Sequence, residues 1–291
     1  MKYLSFVLSF FLCFPAYGQK LNSVQNYTAK SFDDFDFENL STTTKSFIEI
    51  YYGLNSLKYK PYLANENAAQ GSLTEIAYGR RTKNPAGNYR IAEFEDQYFF
   101  SSYFSTPAPK NNTEINFTLW RFGLGLRKGY GYYTGSEISI FPFYQMGLTW
   151  NRGDFAEPNI KTFTGQISFF KRFNGNLRFG TINNAGLNIG ITNSLTIGGS
   201  YETAVIFPRY LVLKQLGSFL IELLSQTGID YLTKGVIIKA SPSITPVAYF
   251  LLKNSLSYLF FSLKKEKMNW PFNTEAPLTL ETYKFSISIA F

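Results

Sequence analysis

Tyr283-Lys284-Phe285-Ser286-Ile287-Ser288-Ile289-Ala290-Phe291 alternates in polarity without a break. Successive side chains of a β-strand point to opposite faces. Tyr283, Phe285, Ile287, Ile289 and Phe291 therefore share one apolar face. Lys284, Ser286, Ser288 and Ala290 share the other. The stretch stops on its apolar face, with an aromatic residue last.

The same alternation recurs upstream. Residues 46–54 place Ile48, Ile50, Tyr52 and Leu54 opposite Glu49, and 72–80 and 89–104 continue the pattern less cleanly. Residues 114–127 set Trp120, Phe122, Leu124 and Leu126 against Arg121 and Arg127. In 136–150, Ile138, Ile140, Tyr144, Met146, Leu148 and Trp150 face away from Glu137, Gln145 and Thr149, and Pro142 predicts a bulge or bend. Further strands are expected over 161–173, 176–181, 186–191 and 195–207, with turn signals at Asn111-Asn112, Asn174-Gly175 and Thr192-Asn193-Ser194. Short strands at regular spacing argue for an all-β, closed antiparallel barrel of roughly 10–12 strands. Residues 208–265 break the pattern. Leu213, Leu216, Phe219, Leu220, Leu223 and Leu224 have helix spacing, which predicts an amphipathic helix near 210–226 at the membrane interface or inside the barrel; an irregular strand pair is the alternative. Residues 247–264 read as two strands or a second helix. The expected order is one helix followed by the last three or four strands.

The final strand resembles the C-terminal signal strand of bacterial outer-membrane β-barrel proteins. That resemblance implies an outer-membrane location, with the barrel-insertion machinery as a partner during assembly. It names no narrower family. Residues 1–18 fit the same picture: Lys2, an apolar run over 3–14 and the small-x-small triplet Ala16-Tyr17-Gly18 read as a signal peptide cut after Gly18. A membrane-anchoring helix is the alternative, but the run is too short to span a bilayer and Pro15 follows it. Residues 19–44 form a polar leader, and the barrel domain is expected over 45–291. The acidic cluster 33–38 lacks the glycine and ligand spacing of a calcium loop.

Composition excludes several classes. Aromatic residues make up 19% of the 291-residue chain and charged residues only 16%, whereas soluble proteins carry about a quarter charged residues. Mean hydropathy is nevertheless slightly negative, and no uncharged apolar run of spanning length follows residue 18, as a helical membrane protein would need. A barrel needs apolar residues only at alternate positions, with aromatic girdles at its two interfaces. The formal charge of +8 falls to +7 with the loss of Lys2. Without a basic-aromatic motif it points to lipopolysaccharide phosphates, an anion-favouring pore or a solvated surface, and not to nucleic acid.

The chain has no histidine, and its one cysteine, Cys13, lies in the expected signal peptide. Histidine is the side chain whose unperturbed pKa lies near neutrality, so the histidine-dependent chemistry of several outer-membrane enzymes cannot run here. No catalytic residue, cofactor or metal site is expected. Glu93 and Glu95 would share one strand face, as coupled carboxylates do, or else be two polar lumen residues. If apolar faces meet lipid, the lumen receives Glu49, Glu75, Glu93, Glu95, Glu137 and Glu202 together with Arg121, Arg127, Arg172 and Arg178. Charges of both signs in a narrow barrel would pair, since an unpaired desolvated charge is costly. The expected function is a narrow channel for small solutes with a partly filled lumen. The alternative is a non-conducting scaffold or accessory subunit of an envelope complex for transport, secretion or adhesion. Outer-membrane lipid, lipopolysaccharide and an envelope protein are the expected partners.

Overall fold

The structure is a computed structural model that describes residues 42–58, 70–86, 91–107, 116–133, 138–156 and 172–291. The expected signal peptide, the leader up to residue 41 with its acidic cluster, the Asn111-Asn112 turn, nearly all of the 161–173 segment and Glu137 lie outside the described residues, and the end of the expected leader, Thr43 and Thr44, belongs to the first strand. Eight strands are described: β1 Thr43–Lys58, β2 Gln70–Pro85, β3 Ile91–Ser105, β4 Asn116–Tyr133, β5 Ser139–Ala156, β6 Leu177–Gly190, β7 Leu195–Ile206 and β8 Leu278–Ala290. Each pairs antiparallel with the next, and β8 pairs with β1, so the sheet closes on itself. Closure pairs both edges of every strand.

The C-terminal stretch forms the seam. Tyr283, Phe285, Ile287 and Ile289 lie opposite Leu54, Tyr52, Ile50 and Ile48 of β1. The backbones of Phe291 and Ser46 exchange hydrogen bonds at 2.9 and 3.0 Å. All eight of these seam side chains are exposed on the outside of the barrel. Trp120 and Phe285, at 56% and 66% exposure, also point outward, which excludes a sandwich that buries them between two sheets.

Eight strands replace the expected 10–12 for two reasons. Segments 176–181 and 186–191 belong to one strand, β6, and the apolar stretch 247–264 is helical. Two long helices are described, α1 Val212–Leu232 and α2 Thr245–Lys264, so a single strand, β8, follows them. Pro142 inserts no bulge. The pairs Gly129–Phe143 and Tyr132–Ile140 keep one register on its β4 side, and Pro142 stays opposite Leu187 of β6.

An eight-stranded barrel is just wide enough for side chains to fill its interior. Here aromatic rings fill much of it. Phe47, Phe94, Tyr98, Phe100, Phe104 and Phe117 point inward and are at most 5% exposed. Rings of that size need bare backbone opposite them. A Cβ on Gly125 would sit 2.2 Å from Tyr98 Cζ, and one on Gly131 would sit 1.9 Å from Phe141 Cδ1. The glycines of 123–131 thus mark close packing rather than a nucleotide loop.

The helices neither plug the barrel nor lie only at its end. The lumen is already occupied, and the helices run along the outer wall. Tyr210 Oη donates to the Leu177 carbonyl at 2.6 Å, at one rim. Tyr132 Oη donates to the Ser243 carbonyl at the opposite end of β4. Lys265 then meets Glu281 at 2.8 Å near the start of β8, so the hairpin descends the wall and returns.

Overpacking at the glycine–ring contact predicts that Gly125→Val destabilises the barrel by about 3 kcal/mol, at the upper end of the usual overpacking cost. Gly199→Ala, whose methyl would meet only the Lys284 carbonyl at 4.0 Å, should leave stability unchanged. Urea midpoints of the two variants in lipid vesicles check both statements.

Candidate functional site

The middle of the lumen holds two joined clusters of charge. In the first, Arg121 of β4 donates to Glu202 Oε1 of β7 at 2.6 Å, to Glu75 Oε2 of β2 at 2.9 Å and to Ser102 Oγ of β3 at 3.0 Å. Lys284 of β8 binds the same two carboxylates, at 2.9 Å on Glu75 and also on Glu202. In the second cluster, Arg127 of β4 donates to Glu49 Oε2 of β1 at 2.9 Å, to Asp96 Oδ2 of β3 at 3.1 Å, and to Gln145 and Tyr51. Arg81 of β2 grips Asp96 with two hydrogen bonds of 2.9 Å. Asn184, with its amide turned to satisfy both its atoms, joins the clusters by donating to Glu202 and accepting from Gln145.

Four cations thus face four carboxylates with no net charge, and each is fully or almost fully buried. Ring faces complete the cations' surroundings. Arg127 lies 4.8 Å from the Phe143 centroid and Arg81 4.9 Å from that of Phe47. Cations over ring faces gain electrostatically when water is excluded. Bidentate guanidinium–carboxylate pairs also fix geometry, which a single ammonium does less well.

Of the residues expected to face the lumen, Glu49, Glu75, Arg121, Arg127 and Glu202 are buried and joined in this network. Glu93 and Glu95 are corrections: both lie on the outer face, where Glu93 meets Lys234 of the hairpin at 2.8 Å and Glu95 meets Lys128 at 2.9 Å. On β3 the inward positions belong to Phe94, Asp96, Tyr98, Phe100 and Phe104, because the core needs their volume. Arg172 is also a correction. It lies in a turn before β6, 53% exposed, and pairs with Glu275 at 2.9 Å. Arg178 keeps inward parity but sits at the rim, donating to the Arg172 carbonyl at 3.0 Å, apart from the network. Arg81, Asp96 and Lys284 complete the network and were missing from the lumen expected of the sequence. Lys284 had a legible signal, since it opposes the apolar face of the last strand. Arg81 did too, since it shares parity with Glu75.

A second polar cluster lies on the outer wall beneath the hairpin. Asn183 of β6 donates to Glu222 of α1 at 3.2 Å, and Lys264 of α2 pairs with the same carboxylate. Lys253 of α2 meets Asp230 at 2.8 Å and donates to the Gln226 carbonyl at 2.7 Å. Tyr249 donates to Asp230 at 2.9 Å, and its ring packs edge-on to Tyr130 of β4. Among the described residues no group of histidine, cysteine, aspartate and glutamate side chains is arranged to hold a metal ion.

No family model matches the chain, and neither does any curated protein. Among solved structures it is similar to Neisserial surface protein A, at 9% identity over 84% of this chain and 97% of that one, with a TM-score of 0.40. It is also similar to Ail, the attachment invasion locus protein of Yersinia pestis, at 9% identity over 85% and 98% of the two chains, with a TM-score of 0.34. A second structure of Ail, in complex with the heparin analogue sucrose octasulfate, gives 11% identity over 85% and 99%, with a TM-score of 0.34. The fold of this chain rests on its own strand pairing: a closed antiparallel barrel, the architecture expected from the resemblance of its last strand.

Removing one member of a buried charge group leaves its partner uncompensated, at a cost of about 3–5 kcal/mol. Arg127→Met should destabilise the barrel by that amount, because Glu49 then loses the guanidinium it pairs with. Adding Glu49→Gln should recover at least half of the loss. Heat-dependent gel mobility and urea unfolding of both variants supply the comparison.

Proposed function

We propose that this chain is an integral outer-membrane barrel that does not conduct. It acts as a sealed scaffold carrying the hairpin and the long connections of one rim, as an anchor or subunit of an envelope assembly. The membrane reading is supported by the seam side chains and by Ile76, Tyr78 and Phe99, which give the uncovered wall an apolar belt. No helix among the described residues is long and apolar enough to cross a membrane, so strands would do the crossing. Connections are short at 86–90, 134–138 and 191–194 and much longer at the other rim. In outer-membrane barrels short turns face the periplasm and long loops face outward. That orientation puts the hairpin's entry and exit, with Arg209 and Lys214 beside them, at the outer leaflet, within reach of lipopolysaccharide phosphates.

The single observation that favours a scaffold over a narrow channel is the lumen itself. Arg121, Arg127, Glu202 and Lys284 are at most 2% exposed and neutralise one another. A conducted ion would have to break pairs held in a dry interior, and open water-filled barrels have about 16–18 strands. The absence of histidine from the sequence argues against the histidine-dependent chemistry of outer-membrane enzymes.

The purified protein refolded into a planar bilayer is therefore expected to be electrically silent while showing the gel shift of a folded barrel. Discrete openings that change size or ion preference in Arg121→Ala or Lys284→Ala would restore the channel reading.

A further inference from the structure

The hairpin has its polarity inside out. On α1 the buried positions are Ser218, Glu222 and Gln226, spaced by four. On α2 they are mixed: Lys253, Ser257 and Lys264 lie beside Tyr249, Phe260 and Phe261, and Phe261 packs on Val205 of the wall. Apart from Ser255, the mid-helix positions turned away from the barrel carry no polar group stronger than a tyrosine hydroxyl: Leu224 is 69% exposed, Leu251 55% and Leu259 54%. A helix on a water-facing surface shows the reverse order, with its apolar stripe inward. The charged side chains of the two helices between Lys214 and Lys265 are accounted for by partners: Glu222 with Lys264, and Asp230 with Lys253. The wall beneath is matched to this stripe. Asn183, Thr181 and Thr203 point outward from β6 and β7 there, whereas β8 and β1 are apolar where nothing covers them.

The dimensions agree with the same environment. α1 has 21 residues and α2 has 20, about 30 Å each at 1.5 Å per residue, which is the thickness of a bilayer's hydrocarbon core. Exposed lysines stand at both ends, Lys214 at one rim and Lys234 and Lys239 at the other, where their ammonium groups can reach the interfaces.

We propose that the α1–α2 hairpin is embedded in the bilayer beside the barrel, with lipid acyl chains as the occupant of its outer face. Neither helix is apolar enough to cross a membrane by itself; the barrel wall and the two interhelical ion pairs satisfy the polar stripe that would otherwise keep the pair out of lipid. This inference rests on the outer-membrane reading above. Acyl chains are favoured over a second copy of the chain because the uncovered wall of β8 and β1 is likewise apolar, and because the exposed charges of the hairpin are confined to its ends.

Single-cysteine variants Leu224→Cys and Leu259→Cys, each with Cys13→Ser, carry a nitroxide label in protein refolded into dilauroylphosphatidylcholine vesicles. Phe285→Cys is the barrel control, and Leu251→Cys replaces either hairpin site if a variant folds poorly. Collision with oxygen and with a water-soluble nickel chelate is then read by spin-label relaxation. The expected result is strong oxygen collision and loss of nickel collision at the hairpin sites, matching Phe285. Nickel collision at the hairpin with Phe285 shielded would overturn the inference and leave the barrel reading standing. Nickel collision at all sites would sink both. Exclusion of both reagents from the hairpin, with spin–spin broadening that disappears on dilution with unlabelled protein, would assign the face to a second copy and overturn the lipid assignment.

Discussion

A charge sealed from water must find its opposite, and this barrel is organised around that constraint. Eight strands leave room for side chains but little for water. Four carboxylates and four cations therefore meet in one neutral network. Its members come from β1, β2, β3, β4, β7 and β8. A one-residue slip of any of these strands would turn its charge to the apolar outside and leave partners unpaired within. The network thus specifies register as well as filling space. Aromatic rings close it off, and glycines on the opposing strand admit the rings.

The same constraint operates on the outer wall with the roles of the faces exchanged. Where β8 and β1 present apolar residues, nothing covers them. Where β4 to β7 present tyrosine, asparagine and threonine, the hairpin lies over them and brings its own polar stripe. Buried ion pairs contribute little net stability compared with apolar packing, but breaking one is costly. Here they join the two helices, and Asn183 of β6, donating to Glu222, ties the stripe to the wall. A helix pair with such a stripe would be poorly placed either free in lipid or free in water, and the barrel wall supplies the third surface it needs.

How much of this was legible follows from which rule each segment obeys. The seam strand β8 and its partner β1 alternate strictly because one side is uncovered and the other is lumen, so their faces could be read directly. On β3 the rule fails. Its lower outer face lies beside Lys128 and the hairpin tip, so Glu93 and Glu95 can point outward while Tyr98 and Phe100 fill the core. Sequence alone could not assign those faces, since both carried polar and aromatic residues. The spacing of leucines identified α1, but not its direction. The helix is expected at the membrane interface or inside the barrel; it lies on the outer wall, and its buried stripe is Ser218, Glu222 and Gln226. α2 stayed ambiguous between helix and strands because Lys253-Asn254 resembled a tight turn in the middle of an apolar run. The lumen pairing of Arg121 with Glu75 and Glu202 was foreseeable in kind, from cost alone. The partners themselves were not, because contacts across a barrel depend on register and shear.

The proposed sealed scaffold rests on the dryness of the charged core. The most direct test of that dryness is exchange of the guanidinium Nε–H protons of Arg121 and Arg127 with solvent deuterium, followed by NMR on the refolded protein, with the outward Arg80 as an exposed reference. The sealed network predicts signals from Arg121 and Arg127 that persist long after that of Arg80 has gone. Loss of all three at the same rate would show water moving through the lumen and would contradict the account.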